Sequence, residues 1–320
     1  MAFDRNSCED MAFGHKPVLL DECMEAIHIR PDGIYVDGTL GRAGHSLEIC
    51  RRLTTGRLIA IDRDAAAIEA AGVRLAEYSH RVTLVHSNFD RLGEILDELG
   101  LPGVDGALFD LGVSSPQLDE AQRGFSYMQD APLDMRMDCS AALTARRVVN
   151  TWPYEELRRI LFDYGEERYA PAIAKRIVQQ REIAPIETTL QLVDIIRSAM
   201  PPQALREKQH PAKRSFQAIR IAVNGELDAL PPMLEGACRH LNPGGRLAVI
   251  SFHSLEDRII KKTMQALCTG CTCPPNFPVC VCGKTPEMKL VSRKPIVAGD
   301  AELVYNPRAR SAKLRVAEKL

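Results

Sequence analysis

The sequence of 320 residues predicts an α/β fold: a mostly parallel, doubly wound, Rossmann-like sheet with an inserted all-helical domain. Short apolar strand patterns first alternate with helical patterns, which is typical of parallel sheets with right-handed crossovers. Between Leu118 and Ile221 only helical patterns occur, and the alternation returns with a helix at Gly225–His240 and a strand that ends at Ser251. A domain without an insertion would need unusually long loops across this segment.

Each predicted element is a hydrophobic period bounded by glycine, proline or polar residues. The helices predicted before the insertion are Val18–Ile29, Ser46–Arg52, Ala65–Glu77 and Leu92–Leu99, and the strands are Ile34–Val36, Arg57–Asp62, Val82–His86 and Val104–Asp110. The helices predicted within the insertion are Tyr154–Phe162, Ala170–Gln180, Thr189–Ala199 and Phe216–Val223. We therefore expect a flexible N-terminus at 1–14, a sheet domain formed by 15–117 and 224–320, and a helical domain at 118–223.

Composition and charge indicate a globular, cytoplasmic protein. Hydrophobic residues make up 45% of the sequence and charged residues 26%, and no apolar run reaches the roughly 18 residues that a membrane span requires. The polar residues from Met1 to Gly14 do not resemble a signal peptide. The net charge of −1 gives no global basic field, so any surface for nucleic acid has to be local.

Three glycines form a loop directly after the first predicted strand and before a helical pattern. Gly38, Gly41 and Gly44 follow the spacing Gly-x-x-Gly-x-x-Gly, which differs from the dinucleotide fingerprint. Glycines let the backbone approach a ligand closely, and the unpaired N–H groups of the following helix point outward. The loop predicts a nucleotide-like cofactor, with an ordinary strand-to-helix turn as the alternative.

Residues after the other strands are expected to converge on this loop, because ligands bind beyond the carboxyl ends of parallel strands. Asp62 is placed to accept hydrogen bonds from ribose hydroxyls, although it could instead cap the next helix. Phe89 could form a wall for an adenine ring or belong to the core. Asp110 and Gln117 follow the fourth strand, which we expect beside the first, so they should lie where cofactor and substrate meet.

NAD and S-adenosylmethionine both fit a glycine loop with an acid for the ribose. The segment Leu241–Leu247 favours S-adenosylmethionine, because a helix, a Pro-Gly-Gly turn and a fifth strand are the usual order in class I methyltransferases. The rival interpretations are an NAD-dependent oxidoreductase, a non-catalytic RNA-binding assembly factor, and a methyltransferase that acts on an amine of DNA or protein.

A series of sequence blocks resembles one family, in the family's order. The blocks are His15–Leu20, Asp37–His45, Asp110–Asp119, Arg123–Ser126, Pro132–Asp138, Tyr164–Arg168, Phe216–Arg220, Ser251–Arg258 and Asn306–Ser311. The chain is similar to the bacterial 16S rRNA (cytosine-N4)-methyltransferases, the RsmH or MraW family. The resemblance implies a Rossmann-like class I methyltransferase that uses S-adenosyl-L-methionine to methylate the exocyclic N4 of one cytidine in the decoding region of 16S rRNA, free or in the small ribosomal subunit.

The resemblance also implies which residues bind the cofactor. These are Ala43, Gly44 and His45 in the loop, Asp62 at the ribose, Phe89 at the adenine, and Asp110 and Gln117 completing the pocket. The family commonly has glycine where this chain has Ala43; alanine still offers a backbone N–H, so we expect binding to survive. The sheet domain would bind S-adenosylmethionine, and the inserted helices would recognise the substrate.

Methylation of a cytosine amine requires a hydrogen-bond acceptor, because the nitrogen is conjugated with the ring and must lose a proton. The candidate acceptors are Asp110, a carbonyl of the loop 114–116, and Asp134, which could equally be a structural partner of Arg136. A splayed-out base typically stacks on an aromatic or arginine plane. The candidates for stacking, each of which could instead be packing, are Phe125, Tyr127, Phe252 and His253.

Two local groups of basic residues could contact rRNA phosphates or could be solvated charged faces. One group is Arg308, Arg310, Lys313 and Arg315, and the other is Lys213, Arg214 and Arg220. The sequence indicates no membrane partner and carries no signal for the oligomeric state.

Five of the ten cysteines lie between Cys268 and Cys282, and without a secretory signal they do not indicate a disulfide framework. Cys271, Cys273, Cys280 and Cys282 could hold a structural zinc ion through four thiolates. Their Cys-x-Cys spacing is less usual than paired Cys-x2–4-Cys, so reduced free thiols are the alternative. We expect no catalytic metal.

Overall fold

The computed structural model describes residues 17–273, 279 and 281–320. Its strands form one seven-stranded sheet in the order β3-β2-β1-β4-β5-β7-β6. The strands are β1 (Ile34–Asp37), β2 (Arg57–Asp62), β3 (Val82–His86), β4 (Val104–Asp110), β5 (Leu241–Ser251), β6 (Met288–Leu290) and β7 (Lys313–Lys319). The first five are parallel and β7 is antiparallel to both its neighbours. The predicted mostly parallel, Rossmann-like sheet is confirmed, including the pairing of β1 with β4.

Helices connect these strands and form the insertion. The α-helices of the described residues are α1 (Leu20–Ile27), α2 (Gly44–Arg52), α3 (Ala65–Arg74), α4 (Leu92–Glu98), α5 (Ser115–Asp119), α6 (Ala145–Thr151), α7 (Tyr154–Asp163), α8 (Ala170–Ile183), α9 (Thr189–Ser198), α10 (Lys213–Asn224), α11 (Leu230–His240), α12 (Ser254–Cys268) and α13 (Asp300–Tyr305). Short 3-10 helices lie at Ala76–Tyr78, Phe89–Arg91, Ala121–Arg123, Ala204–Arg206 and Pro307–Ser311. Across the described ranges, no helix has the length and apolar character to cross a membrane.

The central strands are buried along almost their whole length. In β2 the four residues from Leu58 to Ile61 are each at most 2% exposed. Near-continuous apolar runs of this kind are expected where helices cover both faces of a parallel sheet. The runs end in carboxylates, because Asp37, Asp62 and Asp110 are the last residues of β1, β2 and β4. Three acidic side chains therefore lie at the carboxyl edge of the sheet.

Four elements near the C-terminus, β6, β7, α12 and α13, were absent from the sequence-based prediction. In β7 the buried Leu314 and Val316 alternate with the less buried Lys313 and Arg315, so a strand period is present but carries many charges. Lys313 Nζ and Arg315 Nε lie 3.2 and 2.7 Å from the carboxylate of Asp257. Two members of the proposed C-terminal basic group are therefore paired with an acid within the sheet unit, and its contact with rRNA phosphates stays a prediction.

The chain divides into two compact units, and the first comprises the residues up to Gly112 together with Leu227–Leu320. The second unit, Val113–Glu226, contains helices and, among its β-structure, only the isolated bridge between Pro132 and Thr188. Its core is formed by buried side chains of α6 to α10, among them Leu157, Ile173 and Ile219. The boundaries predicted from the sequence, 117/118 and 223/224, lie a few residues inside those of this second unit. The predicted flexible N-terminus, 1–14, lies outside the described residues.

A tight turn at Gly124 joins two of the resemblance blocks within the helical unit. Gly124 has a φ of +69°, and a Cβ at this position would lie 2.3 Å from Pro132 O and 2.8 Å from Asp134 N. Met135 N donates to Arg123 O at 3.0 Å, which ties the second block to the first. Both the conformation and the close backbone approach require glycine here.

Gly124→Ala is expected to lower the free energy of unfolding by roughly 3 kcal/mol, because the left-handed conformation and the overpacked methyl group both cost energy. Gly225→Ala is the matched control: Gly225 has a φ of +60° with no described heavy atom within 4 Å of its added Cβ. It should lose only the conformational part, about 1 kcal/mol. Urea unfolding measures both variants, and equal losses would contradict the steric argument.

Candidate active site

The glycine loop between β1 and α2 lies against two apolar side chains. A Cβ on Gly38 would lie 2.0 Å from Phe109 Cε1, and a Cβ on Gly44 would lie 2.4 Å from Pro17 Cγ. Gly41 instead has a positive φ of 49°. Two of the glycines are therefore required by close packing and the third by its conformation.

Asp37 and Thr39 brace this loop from inside the protein. The buried carboxylate of Asp37 accepts hydrogen bonds from Ser46 Oγ at 2.6 Å and from Thr39 N at 3.2 Å. Thr39 Oγ1 accepts from Asp110 N at 2.6 Å, which links the loop to the end of β4. Neither residue was predicted from the sequence as part of the site, although an acid directly before the first glycine was the available signal.

Asp62 holds the middle of the loop through one carboxylate oxygen and the turn after β2 through the other. Its Oδ2 accepts from Gly41 N at 2.7 Å, and its Oδ1 accepts from Asp64 N at 2.9 Å. Burial raises the pKa of Asp62 to about 6, against the lowering effect of these two N–H groups. The cap of α3 is Asp64, whose Oδ1 accepts from Ala66 N at 3.1 Å. The alternative role of Asp62 as helix cap is therefore wrong.

Asp110 faces His45 at the start of α2. His45 Nε2 lies 3.0 Å from Val18 O and donates to it, while Nδ1 lies 3.8 Å from Asp110 Oδ2. The other oxygen, Asp110 Oδ1, is buried and has no hydrogen-bond partner among the residues described by the structure. An unpaired buried carboxylate oxygen costs stability and is rare, so it marks a functional position.

Negative charge accumulates around Asp110. Burial is the main cause that raises its pKa to about 6; the charge of His45 lowers the pKa, while the charges of Asp37 and Glu256 raise it. Burial above all, and then the charges of Asp110, Glu22, Asp37 and Glu302, raise the pKa of the thiol of Cys23 well above its ordinary value, so this cysteine is a protonated, inert core residue. The site thus favours a positively charged ligand group near Asp110.

Phe89 lies next to the loop through its contact with Phe109. The two rings meet edge to face, with centroids 6.0 Å apart, and Phe109 is the residue under Gly38. On either side of Phe89 along the chain, the buried Oδ1 atoms of Asn88 and Asp90 have no hydrogen-bond partner within the described ranges. Only Phe89 was predicted from the sequence as a site residue of this turn. Asn88 and Asp90 are further candidates for ligand contact.

Ala43 occupies a backbone conformation that favours glycine. It is the N-cap residue of α2, with φ 58° and ψ 30°, and its side chain is fully buried. Alanine in this left-handed region costs roughly 1–2 kcal/mol, so the loop keeps a glycine-like shape against local strain. No side chain caps this helix in the described structure, and its first N–H groups point out of the helix end.

Two predicted site residues of the helical unit make local hydrogen bonds. Gln117 Oε1 accepts from Ser114 N at 3.0 Å in the capping box of α5. Asp134 Oδ2 lies 2.7 Å from Arg136 Nη2, and Asp134 Oδ1 lies 2.9 Å from Arg136 Nε. Although burial alone would raise the pKa of Asp134, its hydrogen bonds with Arg136 lower it. These contacts favour the structural alternative for Asp134; its catalytic role and the cofactor role of Gln117 stay predictions.

The other candidates in the helical unit are also engaged. Tyr127 stacks on His210 with ring centroids 4.5 Å apart and planes 17° apart, whereas Phe125 is buried in the core. Arg220 pairs with Glu226 through both guanidinium ends, at 2.9 and 2.8 Å. A buried carboxylate thus neutralises Arg220, and phosphate contact by its basic group stays a prediction.

Phe252 and His253, the candidate stacking residues of the sheet unit, begin α12. The buried carboxylate of Glu256 accepts from Phe252 N at 2.8 Å, and His253 Nδ1 accepts from Glu256 N at 3.4 Å in a capping box. His253 thus serves as a helix cap, and Glu256 contributes negative charge to the site of Asp110.

Comparisons with known proteins identify the family of this chain. The sequence matches the MraW methylase family over residues 12–320. Two relatives named ribosomal RNA small subunit methyltransferase H are 58% identical (Symbiobacterium thermophilum; 97% of this chain, 98% of that protein) and 57% identical (Brevibacillus brevis; 97% and 99%). A solved rRNA methylase structure from Streptococcus thermophilus is 12% identical, with a TM-score of 0.39 over 94% of this chain and 93% of that chain. The chain belongs to the MraW methylase family and is a methyltransferase.

Proposed function

We propose that this protein transfers the methyl group of S-adenosylmethionine to the exocyclic N4 of a cytidine in the decoding region of 16S rRNA. The proposal depends on one observation above all, the Oδ1 atom of Asp110 at the end of β4. This atom is buried and has no hydrogen-bond partner among the described residues. Small-subunit rRNA is the substrate printed in the names of the relatives. The sequence blocks shared with the cytosine-N4 methyltransferases support the target atom.

The residues around the glycine loop fit the parts of S-adenosylmethionine. The uncapped N-terminus of α2 suits the carboxylate of its methionine portion. Asp62 is the acid for the ribose hydroxyls, at the end of the strand beside the loop. Phe89 offers a ring face to the adenine, while Asn88 Oδ1 and Asp90 Oδ1 are free to accept from its amino group.

The charges near Asp110 fit the sulfonium centre. The charges of Asp37 and Glu256 both raise the pKa of Asp110, so the three carboxylates lie close enough to interact. A cation placed there would stabilise the ionised carboxylates, and they would stabilise it. The sulfonium of S-adenosylmethionine is such a cation, whereas its demethylated product is not.

The chemistry assigned to Asp110 is that of acceptor and base. S-adenosylmethionine supplies the activated methyl group. Asp110 Oδ1 accepts a hydrogen bond from the cytosine amine, which localises the nitrogen lone pair, and then takes the proton that the amine loses. With a pKa of about 6, the carboxylate is mostly ionised at neutral pH and is a stronger base than an ordinary aspartate.

The strand order argues against the rival oxidoreductase. Dinucleotide-binding sheets have the order 3-2-1-4-5-6. Here the antiparallel β7 lies between β5 and β6, so the sheet departs from that order. A non-catalytic assembly factor would have no use for an unpaired carboxylate that costs stability, and this observation also disfavours that rival.

Mass mapping of methylated cytidines in 16S rRNA tests the proposal. We expect a strain lacking the gene to lose N4 methylation at one decoding-region cytidine, and we expect the wild-type gene to restore it. An unchanged map in the deletion strain would overturn the substrate. Complementation with Asp110→Asn is the matched control. If this variant restored the methylation, the substrate assignment would still hold, but Asp110 would have no role in the reaction.

A further inference from the structure

Three cysteine side chains converge between α12 and β6, outside the candidate active site. The Sγ atoms of Cys271, Cys273 and Cys282 all lie within 4.8 Å of one another, and those of Cys271 and Cys282 are 3.7 Å apart. The backbone N–H groups of Val281 and Cys282 donate to Cys273 Sγ. Cys280, a member of the zinc site considered from sequence, lies outside the described residues.

The exposure of this cluster is unusual for free thiols. Cys271 and Cys282 are exposed and Cys273 is half-buried, whereas Cys23 and Cys50 are buried in the core in the way typical of unmodified cysteines. Accessible neighbouring thiols oxidise readily, and neighbouring thiolates repel one another. A bound divalent cation with affinity for sulfur removes both problems.

We propose that Cys271, Cys273 and Cys282 bind a structural zinc ion. Zinc–sulfur bonds of about 2.3 Å in tetrahedral geometry place two sulfurs about 3.8 Å apart, close to the 3.7 Å between Cys271 and Cys282. A disulfide would instead require about 2.05 Å. A water molecule would complete the tetrahedron.

The surroundings of Cys273 fit a metal-bound thiolate. The two backbone N–H groups that donate to its sulfur hold the side chain in place, as hydrogen bonds around a metal site orient its ligands. The ion would cross-link Cys271 and Cys273 to Cys282. Its role is structural, because none of these cysteines belongs to the carboxylate site around Asp110.

Zinc binding is tested on the full-length protein, purified under reducing conditions without chelator. Elemental analysis should find about one zinc ion per chain. Apoprotein titrated with Co²⁺ should develop a thiolate-to-cobalt charge-transfer band with the visible spectrum of tetrahedral coordination. In competition with a chromophoric chelator, Cys273→Ser should bind Zn²⁺ more than about 100-fold more weakly, because a structural site depends on each thiolate.

Cys139→Ser is the matched control, since Cys139 is an exposed free cysteine of the helical unit. It should keep the zinc content and the Zn²⁺ affinity of the wild type. Absence of zinc with reduced thiols, a disulfide in the purified protein, or a Co²⁺ spectrum without thiolate bands would each overturn the proposal. The Co²⁺ titration uses the wild type, so the test does not depend on the folding of Cys273→Ser.

Discussion

Asp110→Asn is expected to lower kcat for cytidine methylation by about 10²- to 10³-fold at saturating S-adenosylmethionine and RNA, the usual cost of removing one preorganised polar group from a reaction site. Asparagine keeps the shape of the side chain, but it carries no negative charge and cannot take a proton from the amine. Single-turnover methylation of a 16S rRNA fragment measures the effect. An unchanged rate with cofactor bound would show that another group is the acceptor.

The same substitution is expected to stabilise the protein without cofactor. Burial raises the pKa of Asp110 from 3.8 to about 6, so the ionised carboxylate destabilises the folded state above this range. At about 1.4 kcal/mol per pKa unit, removing the charge should gain up to roughly 3 kcal/mol at neutral pH. The gain should shrink as the pH falls from 6 towards 3.8, because wild-type Asp110 then becomes protonated.

Asp257→Asn is the matched control for the direction of this change in stability. Hydrogen bonds from Arg315 and Lys313 outweigh burial and lower the pKa of Asp257, so its ionised form stabilises the folded protein. Asp257→Asn should therefore lower the melting temperature at neutral pH, whereas Asp110→Asn should raise it. A fall in both variants would mean that Asp110 serves the fold rather than the reaction.

The parallel strands could be predicted because each is a continuous apolar run closed by polar residues. The bounds of β2, β3 and β4 match the sequence patterns Arg57–Asp62, Val82–His86 and Val104–Asp110. Parallel strands that alternate with helices end at a common edge, so the meeting of Asp62 and the glycine loop also followed from the sequence. The 2.7 Å hydrogen bond between Asp62 and Gly41 N is the direct result.

Contacts made through tertiary packing could not be predicted in this way. The sequence placed two acids, Asp62 and Asp64, before α3, and only the structure distinguishes the helix cap from the residue that holds the loop. The sequence also does not indicate whether a basic residue is paired with an acid far away in the chain, as Arg315 is with Asp257. In β7 such paired charges hid the strand period.

Asp62→Asn is expected to raise the Kd for S-adenosylmethionine by about 100-fold or more, since hydrogen bonds to a charged acceptor contribute about 1.5–3 kcal/mol each and 1.4 kcal/mol is a factor of ten. Both carboxylate oxygens already accept backbone N–H groups, from Gly41 and Asp64. An amide has one oxygen, so its NH₂ group must face one of these donors and disturb either the loop at Gly41 or the turn that leads into α3. Titration calorimetry measures the Kd, and Asp64→Asn, which keeps a good helix cap, is the control.

The pH dependence of cofactor binding separates the charge of Asp62 from its shape. Because the pKa of Asp62 is about 6, its carboxylate becomes protonated below this pH and can no longer accept from two ribose hydroxyls as an anion. Wild-type affinity should therefore fall as the pH drops through 6. Asp110 titrates in the same range, so Asp110→Asn should retain the part of the fall due to Asp62, while Asp62→Asn should lose that part. If Asp62→Asn binds as tightly as the wild type above pH 6, the ribose is held by another residue.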